Sequence, residues 1–331
     1  MPKLTCLEIC AGAGGQSLGL ENAGFSHTAA VELDTNACAT LRLNRPSWNV
    51  VERDVHMFDG TTYAGVDLLA GGVPCPPFSI AGKQLGGDDD RDLFPQALRL
   101  VRETSPKAVM LENVRGLSTA RFARYRQQIL DVLEDELGYV TEWQVLNSSE
   151  YGVPQLRPRF ILVALRPDAA EHFAWPAPEH TPPTVGMSLR HLMAAQGWKG
   201  ADAWAARANG IGPTLVGGSK KHGGADLGPT RAREGWRRLH VDGRGIANEP
   251  PQAGDPLDLM PKLTLEMAAV IQGFPAAWKF AGKKTANYRQ IGNAFPPPVA
   301  EAVGISIKKA IRAAAAAERK EQREALRLVA S

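Results

Sequence analysis

A single cysteine, Cys75, stands in the run Gly-Gly-Val-Pro-Cys-Pro-Pro-Phe-Ser, directly after a short apolar segment. Pro74 before it and Pro76 after it restrict the backbone and prevent a helix, so the thiol is expected on a rigid turn. A thiol is a soft nucleophile, partly ionised even at neutral pH, and it suits attack on a weakly electrophilic carbon. The commoner fate of a lone cysteine is an inert, buried side chain. That alternative fits Cys6, inside an apolar run, better than Cys75.

A carboxylic acid and two arginines could complete such a site. Glu112 ends one β-rich run, and Arg157 and Arg159 stand in Gln-Leu-Arg-Pro-Arg at the start of another. A carboxylic acid can donate a proton to a substrate ring and make that ring more electrophilic. Arginines at i and i+2 share one face of a strand, so one could hold Glu112 or a base carbonyl and the other a phosphate. Taken alone, the two arginines would also suit a plain surface pair.

A glycine-rich turn at residues 12–15 follows a β-rich run and precedes a helical pattern. Glycines there let the backbone approach a ligand closely, but Ser17 replaces the last glycine of a dinucleotide fingerprint and so disfavours a diphosphate. Glu32 follows after roughly 20 residues, where an acid can accept hydrogen bonds from ribose hydroxyls. Asp54 could meet an adenine amino group. An adenosine ligand without a diphosphate fits this set; the alternative is a tight turn with solvated acids.

The elements that must position these groups alternate between short β-rich runs and longer helical patterns. Such alternation predicts an α/β fold with a doubly wound, mostly parallel sheet. Ligands of these sheets bind at the carboxyl ends of the strands, where all of the motifs above fall. The predicted strands are residues 5–10, 28–31, 66–70, 107–111 and 160–165, and the predicted helices are 16–23, 35–43, 92–103 and 122–137.

The second half of the chain has a different character. Five prolines between residues 167 and 183 indicate a linker, and residues 187–265 show little periodicity and much glycine. Residues 199–244 hold nine Lys or Arg against four Asp or Glu, which favours contact with a polyanion in this part. Helices are predicted at 263–273 and from about residue 299, with a surface helix in the tail at 313–331. The predicted division is 1–175 for catalysis and cofactor binding, 176–285 for a smaller, irregular target-recognition domain and hinge, and 286–331 for a returning C-terminal segment.

In their order and over almost the whole chain, these motifs resemble those of the DNA cytosine-5 methyltransferases of prokaryotic restriction–modification type. The resemblance implies an S-adenosylmethionine-dependent methyltransferase fold. It also implies that Asn293 returns to the cofactor pocket, so the C-terminal helix would pack on the first domain. The cofactor-binding residues implied are Cys10, Ala11, Gly12, Gly14, Gly15, Glu32, Leu33, Asp54, Val55, Pro74, Asn293 and Ala294, and the catalytic residues are Cys75, Glu112, Arg157 and Arg159.

By the same resemblance, a cytosine would flip out of duplex DNA, Cys75 would add to its C6, and C5 would take the methyl group from S-adenosylmethionine without a metal. Residues 79–91 could close over the DNA, or form a plain polar loop. Three positions depart from the family pattern: Cys10 replaces a frequent aromatic that stacks on adenine, Glu8 an Asp, and Pro76 a Gln. DNA contacts are expected from Ser79, Lys83, Gln84, Thr214, Leu215, Ser219, Lys220, Lys221, Arg231 and Arg233.

Composition and charge narrow the remaining classes. The 331 residues carry a net charge of +3, and no apolar stretch is long enough for a membrane helix or a signal peptide. We therefore expect a cytoplasmic protein, a monomer on double-stranded DNA, with a restriction endonuclease as a functional rather than a physical partner. An RNA cytosine methyltransferase of the same fold and an inactive nucleic-acid-binding regulator are the alternatives. The long basic segment favours DNA over RNA, and the intact catalytic groups argue against the regulator. Ser17 and Cys75 disfavour a nicotinamide oxidoreductase.

Overall fold

The computed structural model describes residues 2–74, 92–178, 181–218 and 224–329. Part of the predicted site falls outside these ranges, including the predicted nucleophile and the segment 79–91 that could close over DNA. The predicted site residues that lie outside the described residues are Cys75, Ser79, Lys83, Gln84, Ser219, Lys220 and Lys221.

A seven-stranded sheet forms the centre of the described residues, with strand order β3-β2-β1-β4-β5-β8-β6. The first five strands along the chain pair in parallel, whereas β8 is antiparallel to both β5 and β6. This confirms the predicted doubly wound, mostly parallel sheet. The strands are β1 (Leu4–Ile9), β2 (Phe25–Glu32), β3 (Val50–Glu52), β4 (Leu68–Gly72), β5 (Ala108–Val114), β6 (Val140–Asn147) and β8 (Pro158–Leu165); β7 (Gln155–Leu156) pairs separately with β9 (Gly212–Pro213).

The helices pack on both faces of the sheet and build the second half of the chain. Those of the first half are α1 (Gly15–Ala23), α2 (Thr35–Asn44), α3 (Phe94–Thr104), α4 (Ala123–Asp131) and α5 (Pro167–Ala170). Those of the second half are α6 (Val185–Met193), α7 (Ala201–Arg207), α8 (Thr230–Arg238), α9 (Leu265–Ile271), α10 (Lys284–Asn293) and α11 (Pro297–Val329).

The strand order creates a cleft between β1 and β4. From β1 the chain runs outward through β2 to β3, and it then returns to the other side of β1 as β4. At such a reversal the connections leave the sheet in opposite directions, so a crevice opens at the carboxyl ends of the two strands. The glycine turn follows β1, and Pro74 follows β4. Their neighbourhood in space is therefore a consequence of this topology.

Three parts of the sequence-based prediction were wrong. The antiparallel edge strand β6 was missed because its side chains are mostly half-buried or exposed and include Thr, Glu and Gln. The helix predicted over 122–137 is α-helical only to Asp131 and then widens into one π-helical turn, Val132–Glu136. Within the described part of 187–265, α6, α7 and α8 occur where little periodicity was recognised. Helices of only seven to nine residues carry too few turns for a clear pattern.

The C-terminal helix α11 returns to the catalytic sheet, as the family resemblance implied. Val299, Val303 and Ile307 are buried against strands β1, β4 and β5 in one apolar core. The contact with α1 is close, because a Cβ added at Gly19 would lie 2.4 Å from the carbonyl oxygen of Pro297. The far end of α11, residues 318–328, is exposed, which confirms the predicted surface helix over those residues.

A second apolar core joins the recognition region to α9 and α10. Trp204 and Trp236 are fully buried in it, and the indole Nε1 of Trp204 donates to the carbonyl oxygen of His240 over 2.9 Å. Tyr288 and Ile291 of α10 belong to the same core. Helix α10 therefore crosses the boundary predicted between residues 285 and 286, and the division into three parts stays a prediction.

Candidate active site

The glycine turn after β1 is shaped by close packing and by backbone conformation. Gly14 has φ 86°, and a Cβ there would lie 2.7 Å from Cδ2 of Leu41 and 2.8 Å from Cζ2 of Trp278. At Gly15 a Cβ would lie 2.2 Å from the carbonyl oxygen of Phe295. These two glycines are therefore required because α2 and the C-terminal segment press on the turn from both sides. Cys10 adopts φ 51° at the end of β1, so the chain turns sharply there.

Two carboxylates at neighbouring strand ends face the same region. Glu32 accepts hydrogen bonds from the backbone N–H groups of Gly12 (2.7 Å), Leu33 (2.8 Å) and Asp34 (2.7 Å), so both of its oxygens are held in place. Asp54 accepts from the backbone N–H of His56, and this bond lowers the pKa of the Asp54 carboxyl. The two acids predicted to bind ribose and adenine are thus acceptors held in place by backbone N–H groups.

A cavity of about 410 Å³ opens between these groups. This volume lies within the range of roughly 300–1,000 Å³ that is typical of small-molecule sites. All but one of the predicted cofactor residues line the cavity; the exception is Gly14, which packs against Leu41 and Trp278. The lining predicted from sequence consists of Cys10, Ala11, Gly12, Gly15, Glu32, Leu33, Asp54, Val55, Pro74, Asn293 and Ala294.

Other lining residues were not predicted from the sequence. Gln16 follows the glycine turn directly, and Arg289 and Gln290 lie one helical turn before Asn293. Helical spacing from the predicted residues was the signal that could have identified them. The full set that was missed is Ala13, Gln16, Val31, Asp34, Ala37, Arg53, Gly72, Leu93, Arg289, Gln290 and Phe295.

Glu112 lies at the carboxyl end of β5, in register with Gly72 of β4, and lines the same cavity. Its Oε1 is 2.7 Å from Nε of Arg159, a close ion pair in which each side chain is about one-tenth exposed. Burial raises the pKa of the Glu112 carboxyl, and the guanidinium groups of Arg159 and Arg157 oppose that rise. Burial and the arginines thus act in opposite directions on the pKa of this carboxyl, and burial has the larger effect.

Arg157 does not join Glu112 in an ion pair but ties together three backbone segments. Its guanidinium donates to the carbonyl oxygens of Leu215 (2.8 Å), Gly292 (2.8 Å) and Ala294 (3.0 Å). The side chain is almost fully buried and does not line the cavity, so the suggested contact with a phosphate is not available to it in this structure. Its placement is that of a connector between the backbone at Leu215 and the C-terminal end of α10, beside the cavity.

Replacing Arg157 with leucine should therefore act mainly on stability. Three carbonyl oxygens would lose a buried donor, and we expect the free energy of unfolding to fall by about 3 kcal/mol. Urea denaturation followed by circular dichroism measures this. Arg237→Leu is the control, since Arg237 is exposed and should change stability by less than about 0.5 kcal/mol. A fall for Arg157→Leu as small as the control's would show that the three bonds contribute little.

The described cysteines are unsuited to nucleophilic attack. Burial raises the pKa of the thiols of Cys6 and Cys10, with nearby Glu8 adding to the effect. Burial, with Glu32 second, raises the pKa of Cys38 to about 12. These thiols are protonated at neutral pH and hence poor nucleophiles. The remaining cysteine of the chain is Cys75, whose preceding residue Pro74 lines the cavity.

The backbone just before residue 219 is fastened to the C-terminal end of α10, beside the cavity. The side-chain amide of Asn293 donates to the carbonyl oxygen of Gly218 over 3.1 Å. A Cβ at Gly217 would lie 2.6 Å from Oδ1 of Asn293, so the contact is tight. Leu215, predicted to contact DNA, is fully buried, so its side chain is not available for that contact. Thr214 is half-buried and donates from its hydroxyl to the carbonyl oxygen of Leu156.

Helix α8 presents the remaining predicted DNA contacts. Arg231 is exposed and Arg233 is half-buried, while Trp236 is fully buried. Arg237 forms bonds of 2.9 Å to Glu234 within the helix, so its charge is partly neutralised. The buried tryptophan fixes the helix, and the basic side faces outward.

The described ranges contain neither a metal-ligand cluster nor a membrane-spanning helix. No group of three or more His, Cys, Asp or Glu residues within them could hold a metal ion. Among the helices described, none is both long and apolar enough to cross a membrane.

Sequence comparison finds close relatives over nearly the whole chain. Residues 4–309 match the family model of the C-5 cytosine-specific DNA methylases. The type II methyltransferase M.NaeI of Lentzea aerocolonigenes is 61% identical over 315 residues, covering 94% of this chain and 76% of that protein. The type II methyltransferase M.NgoMIV of Neisseria gonorrhoeae is 54% identical over 314 residues, covering 94% and 99%.

Comparison with solved structures supports the fold alone, since the identities are low. A protein encoded within an Escherichia coli prophage superposes with a TM-score of 0.66 at 23% identity, over 93% of this chain and 99% of that one. Spodoptera frugiperda DNMT2 superposes with a TM-score of 0.62 at 17% identity, over 93% and 99%.

Proposed function

The chain belongs to the C-5 cytosine-specific DNA methylases and is a cytosine-5 methyltransferase of restriction–modification type; on that premise we propose how its residues carry out the transfer. S-adenosylmethionine is the proposed methyl donor, and a cytosine flipped out of duplex DNA is the acceptor. One observation carries this proposal: Glu112, which forms an ion pair with Arg159, lines the cavity at the carboxyl ends of β4 and β5.

The cavity suits the adenosine half of S-adenosylmethionine. Glu32 offers fixed carboxylate oxygens to ribose hydroxyls, and Asp54 offers an acceptor to the adenine amino group. Leu33 and Val55 are apolar lining residues that can cover the adenine ring, which Cys10 cannot do by stacking. When bound, the sulfonium of S-adenosylmethionine supplies an electrophilic methyl group.

Cys75 is the proposed nucleophile, and its thiolate would form a bond to C6 of the cytosine. Electron density then moves into the ring, where Glu112 holds or donates a proton at N3, and C5 becomes nucleophilic. C5 takes the methyl group as its bond to the sulfonium sulfur breaks, which leaves S-adenosylhomocysteine. Loss of the C5 proton to water then restores the double bond and expels Cys75 as thiolate. All bonds made to the enzyme are thereby broken again.

Arg159 has two proposed tasks. Its guanidinium lies against Glu112, so it steadies the carboxyl in one orientation and stabilises its charged form. The ion pair is nearly buried, where the attraction between opposite charges is stronger than in water. By the family resemblance the same guanidinium would also hold the O2 of the cytosine. Arg157, in contrast, is proposed to position the site through its backbone contacts.

Duplex DNA is the proposed partner, bound by the chain as a monomer. The proposed contacts in the recognition region are Arg231 and Arg233 on α8, together with Lys220 and Lys221. Arginine can pair with guanine in the major groove or hold phosphate. M.NaeI and M.NgoMIV are type II methyltransferases, so a cognate restriction endonuclease is proposed as a functional partner here as well.

A transfer assay with labelled S-adenosylmethionine tests this proposal. Duplex DNA of mixed sequence should accept the label, and sequencing of the product should place 5-methylcytosine at one short recognition site. Transfer RNA serves as the second substrate. Label in RNA but not in DNA would show that the chain acts on RNA, and label in neither would contradict the proposed activity.

A further inference from the structure

A glutamine in the first turn of α1 is buried beside the cavity without a partner. The side chain of Gln16 is 3% exposed and lines the cavity. Neither its Oε1 nor its Nε2 has a hydrogen-bond partner within the described part of the chain. A buried amide that makes no hydrogen bond lowers stability, so such a group usually meets a ligand or water.

The surroundings of Gln16 show what kind of ligand it could meet. A Cβ built on Gly72 would lie 4.0 Å from Oε1 of Gln16, 4.0 Å from the carbonyl oxygen of Cys10 and 3.3 Å from Oε2 of Glu112. Three oxygen acceptors therefore surround one small space, which glycine at position 72 leaves open. An ammonium group has three N–H donors and a positive charge, and it is the complement of such a space.

We propose that Gln16 binds the amino-acid end of S-adenosylmethionine, with Oε1 accepting from its α-ammonium and Nε2 donating to its carboxylate. A carboxamide carries one acceptor and one two-proton donor, and an amino-acid zwitterion carries the matching donor and acceptor side by side. The N-terminus of α1, where Gln16 is the second residue, also favours the carboxylate. This inference rests on the proposed use of S-adenosylmethionine.

Binding of the amino-acid end by Gln16 would also fix the position of the methyl group in the cavity. Gln16 lies on the Glu112 side of the cavity, whereas Glu32 and Asp54 hold the adenosine half. A ligand held at both ends has its sulfonium fixed between them. Gln16 is therefore a positioning residue for the methyl group, and its loss should be felt by ligands with an amino-acid end and not by those without one.

Calorimetric titration with two ligands separates these cases. S-adenosylhomocysteine carries the amino-acid end, and 5′-methylthioadenosine lacks it. For Gln16→Leu we expect S-adenosylhomocysteine to bind about 10- to 100-fold more weakly, because bonds to two charged groups are lost. The affinity for 5′-methylthioadenosine should stay within about threefold of wild type, since the adenosine contacts remain.

The matched control is Ser17→Ala. Ser17 is the next residue of α1, is fully buried and also has an unpartnered hydroxyl within the described residues, but it does not line the cavity. Its replacement should leave both affinities unchanged. If Gln16→Leu does not fold, Gln16→Glu tests the same role. Its carboxylate would repel the carboxylate of the ligand but would still accept a hydrogen bond from the ammonium. Gln16→Glu should bind decarboxylated S-adenosylmethionine more tightly than S-adenosylhomocysteine, whereas wild type should bind S-adenosylhomocysteine more tightly.

The outcomes separate this inference from the proposed function. If wild-type protein binds none of these adenosyl ligands, the result contradicts S-adenosylmethionine as the donor and, with it, the proposed role of Gln16. If wild type binds S-adenosylhomocysteine and Gln16→Leu binds it equally well, only the role of Gln16 is overturned. Equal weakening of both ligands by Gln16→Leu would also overturn it, since the amide would then act on the adenosine half or on the fold.

Discussion

Replacing Cys75 with serine is expected to lower methyl transfer by more than about a thousandfold. A serine hydroxyl is scarcely ionised at neutral pH and is a weaker nucleophile toward C6 of cytosine. The thiols of Cys6, Cys10 and Cys38 cannot substitute, because burial raises the pKa of each. The measurements are the transfer rate and covalent trapping on DNA with 5-fluorocytosine at the target. Fluorine at C5 cannot leave as a proton does, so the adduct with Cys75 should persist in wild type and be absent from Cys75→Ser.

The control for this experiment is Cys6→Ala. Cys6 lies in β1 within the core formed with α11, away from the cavity, so this variant should still trap DNA. Binding of Cys75→Ser to unmodified DNA, measured by gel shift, should remain close to that of wild type. A trap that survives Cys75→Ser would show that another residue attacks the base.

Replacing Glu112 with glutamine is expected to slow transfer by about 10²- to 10⁴-fold, the usual contribution of a positioned acid or base. The amide keeps the shape of the side chain but cannot exchange a proton with the ring. Burial raises the pKa of the Glu112 carboxyl, which favours its protonated form, while Arg159, 2.7 Å away, opposes that rise. Single-turnover rates with saturating DNA and donor measure the effect on chemistry directly.

Affinity for 5′-methylthioadenosine should change little in Glu112→Gln, because the proposed contacts of the adenosine half are Glu32 and Asp54. Glu52→Gln is the control: Glu52 also pairs with an arginine, Arg42 at 2.9 Å, but on the surface. Its rate should match that of wild type. A near-normal single-turnover rate for Glu112→Gln would exclude proton exchange by this carboxyl.

The motifs along the chain were sufficient to predict the fold class, the family and about half of the cavity lining. The reason is local: a glycine turn, a strand-end acid or a proline-flanked cysteine needs its own residue types to form at all. Glu32 illustrates this, since its carboxylate is held by backbone N–H groups from two positions already marked by the pattern, Gly12 and Leu33. Strands buried on both faces, such as β4, were recognisable from apolar residues alone.

Only the tertiary structure decided which residues far apart in the chain contact one another in the site. Arg157 and Arg159 have the same type and lie two residues apart, yet Arg159 meets Glu112 whereas Arg157 binds the carbonyl oxygens of Leu215, Gly292 and Ala294. Those partners come from segments 58 to 137 residues away, and no local pattern encodes such a separation.

The same holds for Gln16, which in sequence is an ordinary polar residue at a helix start. Its burial and its unpartnered amide follow from the strand order, because β4 and β5 bring Gly72 and Glu112 beside the first turn of α1. The sequence thus determined which residue types could do chemistry at each strand end. The packing of the sheet, α1 and the returning C-terminal segment decided which of them face the same cavity, since that depends on contacts between distant parts of the chain.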